Sequence, residues 1–297
     1  MQPPLSSSLL RSLEPEAASP AAVYVSDSTG KSVFRFVRNP DGTLVTPAGS
    51  SLVLTYNPGP IAIGRNGNLF VTDEENESIE VYAKGATGSQ QPIRTLLLPF
   101  VPSCVAVDRT GHEYVGGFTN GYVAVFAPGA QGPATTLQRI ALPDRHVDIN
   151  GVAVDKGGNL FVSDTNEVSE FATPVTNPTL ERAIIGSGEQ NSPTGLAINS
   201  KTGELYVANT GNSNILAYSP TANGKSHPDR TITSQSPPLV GPVGVANFGM
   251  SLYSTSGTVF NGPASIFVLD ALHGAQAPKQ VVTGSYLALP VGVALGP

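Results

Sequence analysis

Apolar positions along this chain come in short runs, each closed by a polar or glycine-rich stretch, and the whole pattern returns at intervals. The clearest copy is 150–164, Asn-Gly-Val-Ala-Val-Asp-Lys-Gly-Gly-Asn-Leu-Phe-Val-Ser-Asp. It predicts a short strand (Val152–Val154), a tight turn (Asp155–Asn159) and a second strand (Leu160–Val162) running into a polar loop. Near-copies follow Pro58, Pro102, Pro193 and Pro242, and a truncated copy begins at Pro290. The central alanine of each copy falls at Ala62, Ala106, Ala153, Ala197, Ala246 and Ala294, so the intervals are 44, 47, 44, 49 and 48 residues. That spacing points to stacked or radial repeats.

A third strand follows in each copy, at Ser32–Val37, Ser78–Ala83, Tyr122–Phe126, Val168–Phe171, Asn214–Tyr218 and Ser265–Leu269, then a small-residue turn and a fourth strand. The first repeat starts in its middle. Ala21–Asp27 matches the second strand of the other copies, and the missing first strand is supplied by Pro290–Leu295 at the far end of the chain. An open solenoid has no reason to divide a unit between its ends, whereas a closed ring gains by it, because closure removes exposed sheet edges. The expectation is an all-β, six-bladed β-propeller of four-stranded blades over 21–297, its ring closed by the C-terminal strand completing the N-terminal blade.

Residues 1–20 stand outside the repeat as an N-terminal arm. Ser6–Ser8 ahead of Leu9, Leu10 and Leu13 suits a short helical turn with one apolar face, which Pro15 and Pro20 end. Those leucines are candidates for a contact with the propeller side or for self-association with a second chain.

The repeats at 62–73, 151–164 and 195–209 resemble NHL-repeat propellers, and the resemblance extends over 21–297. It implies a propeller fold but no single activity, since such propellers include protein-binding modules, lyases and hydrolases. More distantly the chain is similar to SMP-30 and gluconolactonase-type propellers. That likeness implies a divalent metal held at the strand entrances by Glu, Asn and Asp. Asn150, which precedes Gly151, matches one ligand; the other entrances carry Gly59, Ser103, Thr194, Val243 and Val291, and supply neither carboxylate. A streptogramin-lyase-like site would need paired histidines near a Glu.

Composition narrows the classes. Charged residues make up 13% of the chain, Gly and Pro number 32 and 26, and the net charge is −6 without a basic patch, which disfavours nucleic acid. No apolar run approaches the ~18 residues of a membrane span. A surface rich in Ser, Thr, Asn and Gly resembles extracytoplasmic propellers, so a periplasmic or secreted location is expected, although the N-terminus lacks a signal-peptide pattern. The single cysteine, Cys104, opens an apolar strand and reads as a small buried hydrophobe.

Propeller topology sorts the polar residues by face. The loops before the first strand and between the second and third strands share the channel mouth, whereas His112, His227 and His273 fall in turns of the opposite face. His146 alone among the histidines reaches the mouth, as a candidate base, together with Asp148, Asn150, Asp27, Asp73 and Asp164. Carboxylates with an amide oxygen suit a hard cation such as Ca²⁺; the same residues also cap strand ends and bend tight loops. An insertion at Ser254–Ala264, carrying Phe260, is a candidate gate over the mouth. With no complete catalytic set, the sequence favours a binding or assembly propeller for a protein or small ligand. A metal-dependent hydrolase or lyase is the alternative.

Overall fold

A computed structural model describes residues 22–45, 51–142, 148–186, 188–257 and 263–297. The arm with Leu9, Leu10 and Leu13, the candidate base His146 and the candidate gate Phe260 lie outside these residues. Among the described residues, six antiparallel sheets form the blades of a closed ring. Blade 1 runs from the axis outward as Pro290–Gly296, Ala22–Asp27 and Ser32–Arg38, with Leu44–Val45 and Leu52–Val53 as two pieces of an interrupted outer strand. Blade 2 is Pro58–Ile63, Leu69–Asp73, Ser78–Tyr82 and Arg94–Leu97; blade 3 is Pro102–Val107, Glu113–Gly117, Tyr122–Phe126 and Gln138–Ala141. Blade 4 is Gly151–Val154, Leu160–Ser163, Val168–Ala172 and Thr179–Ile184. Blade 5 is Pro193–Ile198, Leu205–Asn209, Asn214–Tyr218 and Arg230–Ile232. Blade 6 is Pro242–Phe248, Ser251–Ser256, Ser265–Asp270 and Gln280–Val282. The C-terminal strand pairs antiparallel with Ala22–Asp27, Ala294 opposite Tyr24, so the ring closes as the split repeat predicts.

The register explains the recurring alanine. Ala62, Ala106, Ala153, Ala197, Ala246 and Ala294 each lie opposite an aromatic residue of the second strand: Phe70, Tyr114, Phe161, Tyr206, Tyr253 and Tyr24. A small residue beside each ring leaves room for that ring between blades, where burial of an aromatic contributes most. Glycine serves a second need nearer the axis. A Cβ on Gly195 would stand 2.5 Å from the Val243 carbonyl oxygen of the next blade, so the inner strands approach more closely than any side chain permits.

Polar side chains tie neighbouring blades together. Arg94, on the outer strand of blade 2, pairs with the buried Glu113 of blade 3 at 2.5 Å, donates to the Ala130 carbonyl and lies over the Phe70 ring. Arg182 pairs with Glu170 inside blade 4 and reaches blade 5 by donating to the Ala222 carbonyl, and Arg230 pairs with Glu204 inside blade 5 and reaches blade 6 by donating to the Ala271 carbonyl. Beside them, backbone bridges join Leu52 to Gly88, Leu96 to Gly132 and Ile184 to Gly224, so each long turn between third and fourth strands packs against the preceding blade.

Candidate functional site

The first strand of every blade contributes three consecutive residues to a funnel on the ring axis. Nearest the mouth are Gly59, Ser103, Asn150, Thr194, Val243 and Val291, the entrance positions; two residues further in, Ile61, Val105, Val152, Leu196, Val245 and Val293 form an aliphatic collar. Each collar residue immediately precedes one of the recurring alanines, so the repeat itself builds the collar. The cavity is about 260 Å³, and Ser28, Glu74 and Phe118 lean over it from the loops after the second strands of blades 1, 2 and 3. Cys104 lies in its wall, almost fully buried, and burial pushes its thiol up to about 12, which disfavours the thiolate.

The rim is not symmetric. Blades 6 and 1 offer Val243 and Val291, whereas blades 2 to 5 offer Glu74, Ser103, Asn150 and Thr194. Two of those polar groups are already engaged. The Ser103 hydroxyl donates to the Ile149 carbonyl, and the Thr194 hydroxyl donates to the Val243 carbonyl at 2.9 Å. Glu74, Asn150 and, from blade 1, Ser28 make no side-chain hydrogen bond among the described residues and remain the polar groups presented to a ligand. Glu74 is exposed at the rim, and partial loss of hydration there together with the neighbouring Asp73 charge raises its carboxyl above its ordinary value.

The hydroxyls form a ring of staples that sequence reading missed. Ser26 donates to the Gly59 carbonyl of blade 2 at 2.7 Å, and Ser163 to Thr194 of blade 5 at 2.6 Å. Thr210 donates to Pro242 of blade 6 at 2.6 Å, and Thr255 to Val291 of blade 1 at 3.1 Å. A signal was present: Ser26, Ser163 and Thr255 each stand just before the last residue of the second-strand motif, and Thr72, at the same position, donates within its own blade to the Pro60 carbonyl. Where that position is Gly116 or Ala208, Ser103 or Thr194 on the first strand of the same blade provides the hydroxyl.

The acidic residues placed at the mouth by sequence do not line the funnel. The Asp27 carboxylate accepts the Gly30 amide at 2.7 Å and the Ala288 amide at 2.6 Å, stapling its own loop to the segment that feeds the C-terminal strand. Asp73 accepts from the Asn76 amide and side chain, and Asp164 from the Asn166 and Glu167 amides. All three are buried, and their lone pairs are taken by the turns they shape. Asn209 performs the same task in blade 5, accepting the Asn191 amide at 2.6 Å. Asp148 is half-buried next to the funnel without lining it, and of the candidate ligands only Asn150 faces the cavity. No group of three or more His, Cys, Asp and Glu side chains converges on a metal-sized space among the described residues. The entrance residues therefore do not fit the Glu–Asn–Asp metal set of gluconolactonase-type propellers.

One histidine also departs from its expected place. His112 and His273 bond within their own turns, to Asp108 and Asp270. His227 instead meets Glu189, on the segment leading into the first strand of blade 5, at 2.5 Å. The cause is the long turn between the third and fourth strands of blade 5, which the Ile184–Gly224 bridge holds against blade 4 and so lifts away from the far face.

Comparison with known proteins places this geometry. Residues 191–218 match the NHL repeat, within blade 5. No curated protein matches the chain in sequence. Among solved structures, a propeller of a nidogen/laminin complex superposes with a TM-score of 0.74 at 15% identity, covering 93% of this chain and 98% of that one. A protein of unknown function from Bacteroides caccae gives 0.66 at 14% identity, with 93% and 98% covered. A streptogramin B lyase gives 0.57 at 13% identity, with 94% and 89% covered. The chain is a six-bladed propeller carrying an NHL repeat.

Proposed function

We propose that this propeller is a binding module whose channel mouth takes a small, largely apolar group into the axial funnel. The observation that carries the reading is the funnel itself: six aliphatic side chains, one per blade, around a cavity of about 260 Å³ with the unengaged polar groups of Ser28, Glu74 and Asn150 at its rim. Apolar walls with a few placed polar groups are what small-ligand sites share. The volume equals that of roughly nine waters, below the usual span of sites for drug-sized ligands. A fragment-sized ligand or a single inserted group fits it. The similar fold in the nidogen/laminin complex belongs to a protein–protein assembly and that in streptogramin B lyase to an enzyme, so the fold does not choose between these roles. The choice rests on the site, where the carboxylates of Asp27, Asp73 and Asp164 are spent on the loops they shape.

The chain has no tryptophan, so Phe118→Trp places a single fluorescent reporter on the rim. Titration with cyclohexylmethanol is expected to give a saturable change in that reporter, and Val152→Phe, which fills the collar, is expected to abolish it. A non-saturating response, or one indifferent to Val152→Phe, would refute the reading.

A further inference from the structure

The loop position just after the strand-end motif is Ser28, Glu74, Phe118, Thr165, Thr210 and Gly257 around the ring. Three of these reach the funnel, and Glu74 is the one charged side chain lining it among the described residues. Its Oε1 lies over the entrance of blade 2, 3.2 Å from where a Cβ on Gly59 would stand. The Thr72 hydroxyl is nearer still to the same point, so Gly59 is what lets both side chains come this close to the entrance. No ion pair of Glu74 occurs among the described residues, while Arg94, Arg182 and Arg230 are committed to Glu113, Glu170 and Glu204. Below the carboxylate the wall turns aliphatic at Ile61, Val105 and Val293, and across the mouth Asn150 presents an amide.

We propose that the ligand is a small primary amine with an apolar body, its hydrocarbon part seated in the collar and its ammonium held at the rim by Glu74, with Asn150 accepting a second hydrogen bond through its amide oxygen. The proposal rests on the funnel being the binding site and adds the class of ligand. The order of groups along the axis decides the source. A lysine of a partner protein would enter tip first and drive its ammonium into the aliphatic collar, where an unpaired charge is costly. A free amine enters with its apolar end leading and leaves the charge at the mouth, beside the carboxylate. A carboxylate ligand would be repelled by Glu74, and a neutral alcohol would gain the collar without the charge-assisted bond.

Three probes of one shape separate these cases: cyclohexylmethylamine, cyclohexylmethanol and cyclohexanecarboxylate, titrated at pH 7.5 against the Phe118→Trp reporter or by calorimetry on the unaltered chain. The amine is expected to bind about tenfold more tightly than the alcohol, the margin of one hydrogen bond to a charged partner, and the carboxylate most weakly. Glu74→Gln is expected to erase the amine's advantage and leave the alcohol's affinity within about twofold, while Glu75→Gln, one residue along the same loop, changes neither. Nα-acetyl-lysine methylamide is expected to bind more weakly than cyclohexylmethylamine. Alcohol binding without preference for the amine, a preference that survives Glu74→Gln, or tighter binding of the lysine probe would each overturn the amine assignment while leaving the funnel as a binding site. Failure of the alcohol itself to bind would overturn the funnel reading and this assignment with it.

Discussion

Arg94 and Glu113 offer the sharpest test of how the ring is held together. Glu113 is fully buried, and its carboxylate meets Arg94 from the next blade at 2.5 Å. Arg94→Ala removes that partner, the bond to the Ala130 carbonyl and the stacking over Phe70. Breaking a buried pair from one side costs about 3–5 kcal/mol, because the remaining charge has neither partner nor water. The charge part has a ceiling, since Glu113 can take up a proton. From its ordinary value of 4.5, protonation at pH 7 costs about 3.4 kcal/mol, at about 1.36 kcal/mol per pH unit. The lost carbonyl bond adds about 1 kcal/mol. The expected loss at pH 7 is therefore about 3–4 kcal/mol, near the lower end of the range for broken buried pairs. The sign of the pH dependence follows from the direction of the shift. Burial already raises Glu113 above 4.5 against the pull of Arg94, so the fold favours its protonated form and loses stability as pH climbs from 4.5 through the folded value. Removing Arg94 pushes the folded value higher and widens that window upward. Urea denaturation of Arg94→Ala at pH 7 and pH 5 should show most of the deficit recovered at pH 5, where protonation costs only about 0.7 kcal/mol. Arg94→Ala/Glu113→Gln should be more stable than Arg94→Ala alone at pH 7. A deficit below about 1 kcal/mol, the size of an exposed pair, or one equal at both pH values, would mean that the pair is not shielded as described.

Other consequences follow from the same contacts. Gly195→Ala places a methyl group 2.5 Å from the Val243 carbonyl and should cost about 1–3 kcal/mol of overpacking, whereas Gly188→Ala, with open space around it, should cost only its positive-φ strain of about 1 kcal/mol; chemical denaturation compares the two, and equal losses would count against close approach of the inner strands. Removal of residues 290–297 strips blade 1 of its axial strand and should abolish cooperative unfolding; a truncated chain that melts like the intact one would refute closure through Ala294 and Tyr24. Asp27→Ala removes the acceptor of the part-buried Gly30 and Ala288 amides at about 1–3 kcal/mol, and Asp27→Asn, which keeps one acceptor oxygen but turns its NH2 against the other amide, should also destabilise; chemical denaturation unchanged by both substitutions would return Asp27 to the list of ligand-binding carboxylates. Deletion of residues 1–19 should lower the melting temperature or change the oligomeric state if Leu9, Leu10 and Leu13 make the apolar contact expected of them, and an unaltered protein would leave the arm without a structural role.

The fold was legible because each repeat encodes the same local contest. Alanine at Ala153 and an aromatic at Phe161 recur together since one makes room for the other across a strand pair, and no long-range knowledge is needed to see the period. The split of the first repeat carried closure just as directly. The site was legible only in part. Asn150 was placed at the entrance of its strand because topology sets which loops share the mouth, and the structure puts it in the funnel wall. Asp27, Asp73 and Asp164 lie on the expected loops, and of the two tasks open to them, ligating a cation or bending a loop, they perform the second. Sequence position tells where a carboxylate starts, and not which way it turns. The Ala288 amide that Asp27 accepts is 261 residues away along the chain, so nothing local announces that this carboxylate closes the ring and does not meet a ligand. His227 failed for a related reason: a long turn was assigned to a face by its flanking strands, and packing against blade 4 moved it.

A repeat ring separates structure from function in a way a single-copy fold does not. Whatever six blades share must serve what six blades have in common, namely packing against a neighbour. The alanine–aromatic pairs and the strand-end acids recur, and the structure assigns them to packing and to loop closure. An axial ligand has no six-fold symmetry, so the residues that recognise it must sit where the repeat is broken. At the entrance the series Gly59, Ser103, Asn150, Thr194, Val243 and Val291 has lost its regularity, and in the loops above it so has the series that includes Ser28, Glu74 and Phe118. The collar, by contrast, is aliphatic at every position from Ile61 to Val293. Shape and apolar attraction thus come from the shared positions, whereas orientation and chemical preference come from the irregular ones. On the proposed reading that division puts Glu74, the one charged side chain lining the funnel among the described residues, with the positions that select the ligand, and substitution there should alter preference between ligands while substitution in the collar alters affinity for all of them.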